Sequence, residues 1–364
     1  MEKAKIQRSS RIYLNLANAG KKKECLAFLT LCHDLQQYFI DLFWQRQDCK
    51  GKYTDLETVH RGRDRFKTTT RLAQAMAKQA KESLRHKNCG IRKRKPRLHQ
   101  QTATLYYHFA NIEKGNGVFD YVLNLVGSGA PKLTMPFNST SHLNRLLANG
   151  FMICKTVRLG RDKDNLWLDV IVDKPRPTKR TEGKVIGIDS NYKGGFVLSD
   201  GRLIAKNSYN KIQSFAKREK NTHEQIKQEL NRELKQLDFS GIKTIAIEDL
   251  KYVKRNKRGT FSRIFNRRLS HWTYRYFMVR LEQICEEQGI SVSKKLPHYT
   301  SQTCHSCHRC DKRSRAGSEF ACVWCGYRDD ADLNAARNLC LLGEAGLYGV
   351  RSLPSWKYMS VSKS

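Results

Sequence analysis

Apolar and polar positions alternate with two different periods in the first half of the chain. Helical spacing of leucine and phenylalanine runs from about residue 22 to 47, and a second helix is predicted over 69–86. Strand patterns occupy 11–17, 102–126, 132–137 and 166–172, with a short helix over 142–148. A proline-rich, charged linker follows at 173–180. We expect a β domain that carries a helical, basic insertion.

The second half alternates apolar strands with helices. The strands predicted over 184–189 and 242–248 are almost wholly apolar, and each ends in a carboxylate. A hairpin is predicted around Ser199-Asp200-Gly201, helices over 208–237, 270–288 and 331–342, and a strand over 290–296. This alternation favours an α/β fold.

The charge balance points to a polyanionic partner. Of 364 residues, 68 are Lys or Arg and 34 are Asp or Glu, which gives a net charge of +34. This charge predicts nucleic acid as the polyanion, and it is too large for an ordinary metabolic enzyme. The chain has no apolar stretch of 18 residues and no apolar signal core near its start, so we expect an intracellular protein.

Carboxylates follow the two buried strands and open the last helix. Asp189 and Glu248 end the strands, and the cluster Asp329-Asp330-Ala331-Asp332 precedes or begins the helix. A single acid in such a place is usually a turn or cap residue. Three of them in a strongly cationic chain indicate a Mg²⁺ site, because Mg²⁺ prefers oxygen ligands and two ions can act together on a phosphodiester.

Only one acid of the last cluster is expected to bind metal. If the helix begins near Asp330, that residue or Asp329 caps its free N–H groups. Asp332 lies inside the first turn, and the small residues Asn334-Ala335-Ala336 after it allow the helix to approach a sheet closely. We therefore predict Asp332 as the third acid.

The cysteines between 304 and 325 form two Cys-x-x-Cys pairs. Two such pairs match the spacing of a zinc ribbon, and four thiolates make a closed, structural site. Free thiols are the alternative, and Cys310, His305 and His308 lie close enough to substitute as ligands. The predicted zinc ligands are Cys304, Cys307, Cys322 and Cys325.

Two basic stretches are candidate nucleic-acid contacts. Residues 251–268 contain eight cations, no acid and three aromatic residues whose rings could stack on unpaired bases. The run at 92–97 could contact an RNA backbone or serve as a nuclear localisation signal. The predicted contacts are Lys251, Lys254, Arg255, Lys257, Arg258, Arg267 and Arg268, together with Arg92, Lys93, Arg94 and Lys95.

The motifs of residues 184–340 resemble the TnpB family, the transposon-encoded RNA-guided nucleases related to the type V CRISPR effectors. The matching segments, in order, are Gly187-Ile188-Asp189, Leu198-Ser199-Asp200-Gly201, Ile247-Glu248-Asp249-Leu250, the run from Pro297 to Cys307, the run from Phe320 to Tyr327, and the run from Ala331 to Asn338. The last two of these segments, from Phe320 to Asn338, are highly specific. Over residues 1–180 the resemblance is only architectural.

This resemblance implies an α/β nuclease domain of the RNase H fold (RuvC) with an inserted zinc ribbon. It also implies an N-terminal, β-barrel-like wedge domain with a helical recognition insertion. The expected boundaries are 1–20 and 98–180 for the wedge, 21–97 for the insertion, 181–300 and 330–345 for RuvC, 301–329 for the ribbon, and 346–364 for a C-terminal tail.

The function implied by the resemblance is RNA-guided, Mg²⁺-dependent cleavage of double-stranded DNA. Asp189, Glu248 and Asp332 fall on the family's three catalytic acids. A guide RNA from the adjacent locus would pair with one target strand, and the protein would read a short flanking motif. We expect a monomer in the cytoplasm, at the nucleoid, or in the nucleus of a eukaryotic host.

Three alternatives remain open at the level of sequence. The chain could be a guided repressor that binds DNA without cutting, although the retained acids argue against it. It could be a type V CRISPR effector, since the sequence does not reveal a transposon or a CRISPR array. A DDE-type transposase is disfavoured, because a zinc ribbon directly precedes the last acid.

Overall fold

The chain folds into two compact units, residues 1–175 and 176–364, each with its own hydrophobic core. The computed structural model describes residues 5–48, 54–85, 95–163, 165–191, 195–205, 222–250 and 274–358. Among these residues no helix has the length and apolar character needed to cross a membrane.

Two antiparallel sheets form the β part of the first unit. In chain order the strands are β1 (Lys5–Tyr13), β2 (Thr102–Leu105), β3 (Ala110–Lys114), β4 (Tyr121–Val126), β5 (Lys132–Phe137), β6 (Met152–Asp162) and β7 (Asn165–Pro175). The larger sheet has the order β1-β7-β6-β2 and the smaller one the order β3-β4-β5. Their inward side chains share one core with the helices of this unit.

Helices fill the long connection between β1 and β2. They are α1 (Ala19–Gln45), α2 (Leu56–Arg65) and α3 (Thr70–Arg85), and a short α4 (Ser141–Ala148) follows β5. The side-chain amide of Gln79 on α3 forms two hydrogen bonds of 2.9 Å with the backbone of Thr104, which ties the helix to the edge strand β2. Periodicity therefore predicted α1, α3 and α4 to within a few residues.

The structure corrects or refines the strand predictions of this unit in three places. The first strand is Lys5–Tyr13 rather than 11–17. Its residues are mostly polar, but all nine of them pair with β7. The strand-like region 102–126 contains three separate strands, β2, β3 and β4. Strand β6 was not predicted, since its register shifts between Ile153 and Val157 and the alternation of apolar residues is broken there.

A five-stranded mixed sheet is the centre of the second unit. Its strands are β8 (Lys184–Asn191), β9 (Gly195–Leu198), β10 (Leu203–Ile204), β11 (Ile242–Glu248) and β12 (Ser291–Lys295), in the order β10-β9-β8-β11-β12. The pairs β8–β9 and β9–β10 are antiparallel, whereas β11 runs parallel to both β8 and β12. The parallel pairing places the carboxyl ends of β8 and β11 side by side.

Helices cover this sheet. They are α5 (Thr222–Gln236), α6 (Tyr274–Gln288) and α7 (Ala331–Glu344). The predicted helix 208–237 is observed from residue 222, and its earlier part lies outside the described residues. The rings of Phe196 on β9 and Phe277 on α6 stack with centroids 3.6 Å apart.

Helix α7 contacts the sheet at unusually short range. A Cβ atom on Gly187 of β8 would lie 1.9 Å from the carbonyl oxygen of Ala336, and one on Gly343 would lie 2.7 Å from Val185. The glycines let the helix backbone rest directly on β8, as the small residues after Asp332 predicted. The start of α7 is thereby fixed against the ends of the strands.

A small, mostly irregular module lies between β12 and α7. It contains the short strands β13 (Arg309–Cys310), β14 (Arg315–Ala316), β15 (Glu319–Ala321) and β16 (Arg328–Asp330), of which the last three form an antiparallel sheet. Residues 346–358 return to this module, where β17 (Lys357–Tyr358) pairs with β13. Leu342, Val350 and Leu353 form a small core beside it.

Candidate active site

Adjacent strand ends bring the first two predicted acids together. Ile188 pairs with Ile247 in the parallel ladder of β8 and β11, so Asp189 and Glu248 are the next residues of neighbouring strands. Each residue is only 7% exposed. The hydroxyl of Thr300 donates a hydrogen bond of 2.7 Å to Glu248 Oε1, and the hydroxyl of Tyr274 donates to the backbone carbonyl of Glu248.

Helix α7 supplies the third acid from its first turn. Asp330 is the N-cap, and its Oδ1 accepts hydrogen bonds from the backbone nitrogens of Asp332 (2.9 Å) and Leu333 (3.1 Å). Asp329 is occupied elsewhere, because its carboxylate accepts from Arg337 and Tyr327. Asp332 is 8% exposed, and its carboxylate accepts from the side chain of Asn191 at the end of β8.

Burial and nearby negative charge raise the pKa values of Asp189 and Glu248. The pKa of Asp189 lies well above its usual range because the group is desolvated and faces the charges of Glu248 and Asp332. Desolvation, with a smaller contribution from Asp332, raises the pKa of Glu248 to about 7. Clustered acids of this kind need a compensating cation.

Arg315 was not predicted as part of the site. It belongs to β14 in the cysteine-rich module, and its guanidinium lies 3.2 Å from Asp332 Oδ1. Its positive charge partly offsets the rise in the pKa values of Asp189 and Glu248. In the sequence it stands in the ordinary basic run Lys312-Arg313-Ser314-Arg315, and only the folding of the module brings it to the acids.

The donor set fits a divalent metal ion. Asp189, Glu248 and Asp332 are buried and Arg315 pairs with Asp332, so full ionisation of the three acids would leave excess negative charge in a place that water solvates poorly. Hard oxygen donors of this kind are what Mg²⁺ prefers.

The four predicted zinc ligands form one cluster. The sulfur atoms of Cys304, Cys307, Cys322 and Cys325 all lie within 4.8 Å of one another. Cys304 and Cys325 are 3.6 Å apart, and Cys307 and Cys322 are 3.7 Å apart. Zn–S bonds of about 2.3 Å in a tetrahedron give sulfur separations of about 3.8 Å, so the cluster is compatible with a zinc ribbon.

The other candidate ligands of the ribbon, Cys310, His305 and His308, lie outside the four-sulfur cluster. Cys310 is buried but outside the four-sulfur cluster, and His308 Nδ1 is hydrogen-bonded to Ser355. His305 is not part of the cluster either, and its buried Nδ1 has no hydrogen-bond partner within the described part of the chain. The described cysteines form no disulfide.

Most of the predicted nucleic-acid contacts lie outside the described residues. This holds for Arg92, Lys93 and Arg94, and for the whole set within 251–268. Lys95 is described, and it forms an ion pair of 3.0 Å with Asp41 of α1. That pairing reduces the charge it can offer to a phosphate.

Comparison with known proteins places the C-terminal part of the chain in a recognised group. Residues 274–339 match the family model "Cas12f1-like, TNB domain". The chain is 39% identical over 102 residues to a CRISPR-associated endodeoxyribonuclease Cas12f1 of Sulfoacidibacillus thermotolerans, which covers 28% of this chain and 22% of that protein. It is 34% identical over 97 residues to a TnpB-like protein of Aquifex aeolicus, covering 26% of this chain and 31% of that protein. The chain thus aligns with less than a third of these relatives' own lengths.

A solved structure extends the similarity to the fold of most of the chain. The protein of a Cas12f1–sgRNA–target DNA complex matches with a TM-score of 0.57 at 14% identity, over 87% of this chain and 82% of that one. At this identity the match shows a shared fold over most of the chain. The resemblance indicated by the motifs is confirmed, and the chain is a relative of the TnpB proteins and compact type V effectors.

Proposed function

We propose that this chain is an RNA-guided, Mg²⁺-dependent DNA endonuclease that cuts with Asp189, Glu248 and Asp332. The observation that carries the proposal is the convergence of three buried carboxylates at the carboxyl ends of β8 and β11 and the first turn of α7. An acid cluster has no purpose in a protein that only binds phosphates, because it repels them. A metal-dependent phosphodiesterase requires it.

Each residue of the site has a distinct task in this proposal. The three carboxylates hold Mg²⁺, which when bound supplies Lewis-acid activation of water and of the phosphate. The amide of Asn191 orients the carboxylate of Asp332. Arg315 places a guanidinium, whose fork of donors matches phosphate oxygens, at the edge of the acids. We assign it to the target phosphate.

Guidance by RNA is supported by charge and by the relatives. A net charge of +34 exceeds what contact with a short DNA motif requires. The relatives include proteins named as CRISPR-associated endodeoxyribonucleases, and the solved complex of similar fold contains a guide RNA and target DNA. In the proposed organisation, residues 1–20 and 98–180 form the wedge and 21–97 the recognition insertion, 181–300 and 330–345 form RuvC, 301–329 the zinc ribbon, and 346–364 the tail.

The proposal is tested by cleavage with the RNA that the protein itself selects. The full chain is expressed with its flanking DNA, the bound RNA is sequenced, and the complex is assembled with that RNA. A plasmid library that carries the matching sequence beside randomised flanking positions is then incubated with the complex in Mg²⁺. We expect cleavage next to one short motif, and no cleavage by Asp189→Ala or Glu248→Ala although both still bind.

Two results would contradict the proposal. A parent complex that binds the matched plasmid but leaves it intact would support the guided repressor. A protein that purifies without RNA, and that binds its flanking transcript no better than a scrambled one, would remove RNA guidance altogether.

A further inference from the structure

One buried hydroxyl links a carboxylate of the candidate site to the segment before the cysteine cluster. Thr300 is 1% exposed, and its Oγ1 lies 2.7 Å from Glu248 Oε1 and 3.1 Å from the backbone oxygen of Pro297. The hydroxyl has one proton to donate. The shorter contact and the charged acceptor favour donation to Glu248.

The turn that carries Thr300 is held by a side chain of α7. Asn338 is fully buried, and its Nδ2 donates to the backbone oxygens of Thr300 (2.9 Å) and Thr303 (2.7 Å). Within the turn the nitrogen of Thr303 also donates to the oxygen of Tyr299 at 3.0 Å. Thr300 therefore cannot move away from Glu248 without breaking bonds to α7.

Asn338 is not an ordinary, fully satisfied core amide. Its Oδ1 is buried and has no hydrogen-bond partner within the described part of the chain. Leaving a buried carbonyl oxygen without a hydrogen bond is unfavourable. The stabilising contribution of this side chain is therefore its two donated hydrogen bonds to the turn.

One turn earlier on α7, Asn334 extends the same arrangement to the cysteine cluster. Its Nδ2 donates to the oxygen of Thr303 at 2.9 Å, and its Oδ1 accepts from the nitrogen of His305 at 3.0 Å. His305 is the neighbour of Cys304. The helix that supplies Asp332 thus fixes both the first Cys-x-x-Cys pair and the turn that touches Glu248.

We propose that Thr300 is a positioning residue that orients the metal-binding carboxylate of Glu248, and that Asn338 holds Thr300 in place for this task. The inference rests on the proposed function in one respect, namely that Glu248 binds a divalent metal. Tyr274 fixes the backbone of Glu248, and Thr300 fixes its carboxylate head. Mutating a residue that is hydrogen-bonded to a metal ligand typically lowers metal affinity by about 10- to 100-fold.

The test measures binding of Mn²⁺ to the full-length, zinc-loaded protein by electron paramagnetic resonance, with no nucleic acid present. Thr300→Val keeps the shape of the side chain and removes the hydroxyl, and we expect Mn²⁺ binding about tenfold weaker or more. Thr300→Ser keeps the hydroxyl and should restore affinity close to that of the parent protein. Thr300→Ala is a second variant without the hydroxyl, to be used if the Thr300→Val protein does not fold.

Thr303→Val is the matched control. Thr303 lies in the same turn and is also fully buried, but its hydroxyl accepts from the indole nitrogen of Trp356 at 3.3 Å. We expect this variant to lose stability and to bind Mn²⁺ as the parent does. The Mg²⁺ concentration at half-maximal cleavage should rise for Thr300→Val and not for Thr303→Val.

A double-mutant cycle tests the part of Asn338. Asn338→Ala should weaken Mn²⁺ binding in the parent and have little further effect in Thr300→Val, because both changes remove the same contact. Equal effects of Asn338→Ala in the two backgrounds would overturn its role. Equal Mn²⁺ affinity of the parent, Thr300→Val and Thr300→Ala would overturn the inference itself.

Glu248→Gln separates this inference from the proposed function. If Glu248→Gln removes the Mn²⁺ site while Thr300→Val leaves it intact, only the inference is wrong. If Glu248→Gln binds Mn²⁺ as the parent does, the metal site fails, and the proposed function fails with it.

Discussion

Two aspartates in one turn of α7 have different surroundings. Asp330 uses its carboxylate to cap the helix, whereas Asp332 turns its carboxylate to Asn191 and Arg315 beside the strand ends. A charge argument alone could not separate them, but the cap rule did. An acid that satisfies two backbone N–H groups is less available to a metal.

Asparagine substitutions at these positions separate the two roles. Asp332→Asn removes one charge from the acid cluster, so we expect guided cleavage to fall by at least about 100-fold while target binding persists. Asp330→Asn is the matched control, because asparagine caps a helix about as well as aspartate and cleavage should survive. Single-turnover cleavage of a matched plasmid, beside a binding assay, is the measurement. An active Asp332→Asn with an inactive Asp330→Asn would reverse the assignment.

Asp330→Ala should lower the free energy of unfolding without removing cleavage. The substitution takes away both cap bonds to the first turn of α7, and a lost cap costs about 1 kcal/mol. Denaturant titration of Asp330→Ala against Asp330→Asn measures the difference. No difference between the two variants would mean that the cap does not contribute to stability in solution.

The limits of the sequence are also visible at single residues. The placement of Asp189 and Glu248 at adjacent strand ends and the clustering of the four cysteines were predictable, because strand ends and Cys-x-x-Cys spacing are local patterns. Arg315 and Thr300 were not, since each reaches the acids only after the chain between β12 and α7 has folded.

At the scale of elements, the position of α7 depends on its close packing against β8. Its backbone passes so near β8 that there is no space for a Cβ atom at position 187, where the residue is glycine. The sequence predicted the helix and its small residues, but not that the helix would pack on Gly187 of β8. The missed strand β6 has the opposite cause, because long-range pairing with β2 and β7 stabilises a segment whose local pattern is irregular.

Gly187→Ala should displace α7 and with it Asp332. The added methyl would lie 1.9 Å from the backbone oxygen of Ala336. We therefore expect the free energy of unfolding to fall by about 3 kcal/mol or more, and cleavage to be lost. Gly20→Ala is the control, because its Cβ atom meets nothing closer than 3.7 Å at the start of α1 and alanine favours a helix. Thermal unfolding of both variants decides the point. An unchanged melting temperature for Gly187→Ala would contradict the packing.

The ribbon gives a prediction with a direct chemical readout. Cys322→Ser should lose about one zinc ion per chain, because four thiolates complete the site and metal binding is coupled to local folding. Cys310→Ser is the matched control, since Cys310 is a buried cysteine of the same module that lies outside the cluster. Elemental analysis of the purified proteins counts the zinc. A parent protein without zinc would refute the site.

For the whole molecule, charge indicates the partner and the acids indicate the chemistry. A surplus of 34 positive charges lies in the same chain as a cluster of buried acids. The first favours binding of a nucleic-acid backbone at many points, and the second favours hydrolysis at one point. Composition could predict the partner class, whereas the site required strands that are about 60 residues apart to pair in parallel.

Salt dependence tests whether the predicted basic segment contacts RNA. Each phosphate neutralised contributes about −0.7 to −0.9 to the slope of log K against log salt concentration. Replacing Lys254, Arg255, Lys257 and Arg258 with glutamine should therefore make the slope shallower by about 3 if all four contact phosphates. The measurement is a titration of the full chain with its own bound RNA, and with a scrambled RNA of equal length, at several salt concentrations.

The control for this titration replaces four cations that already pair with carboxylates of the chain. These are Arg61, Arg63, Arg202 and Lys227. Because local acids neutralise them, their loss should change the slope much less, although the net charge falls by the same amount. Equal slopes for the two quadruple variants would mean that RNA responds to total charge alone, and the contact assignment within 251–268 would be wrong.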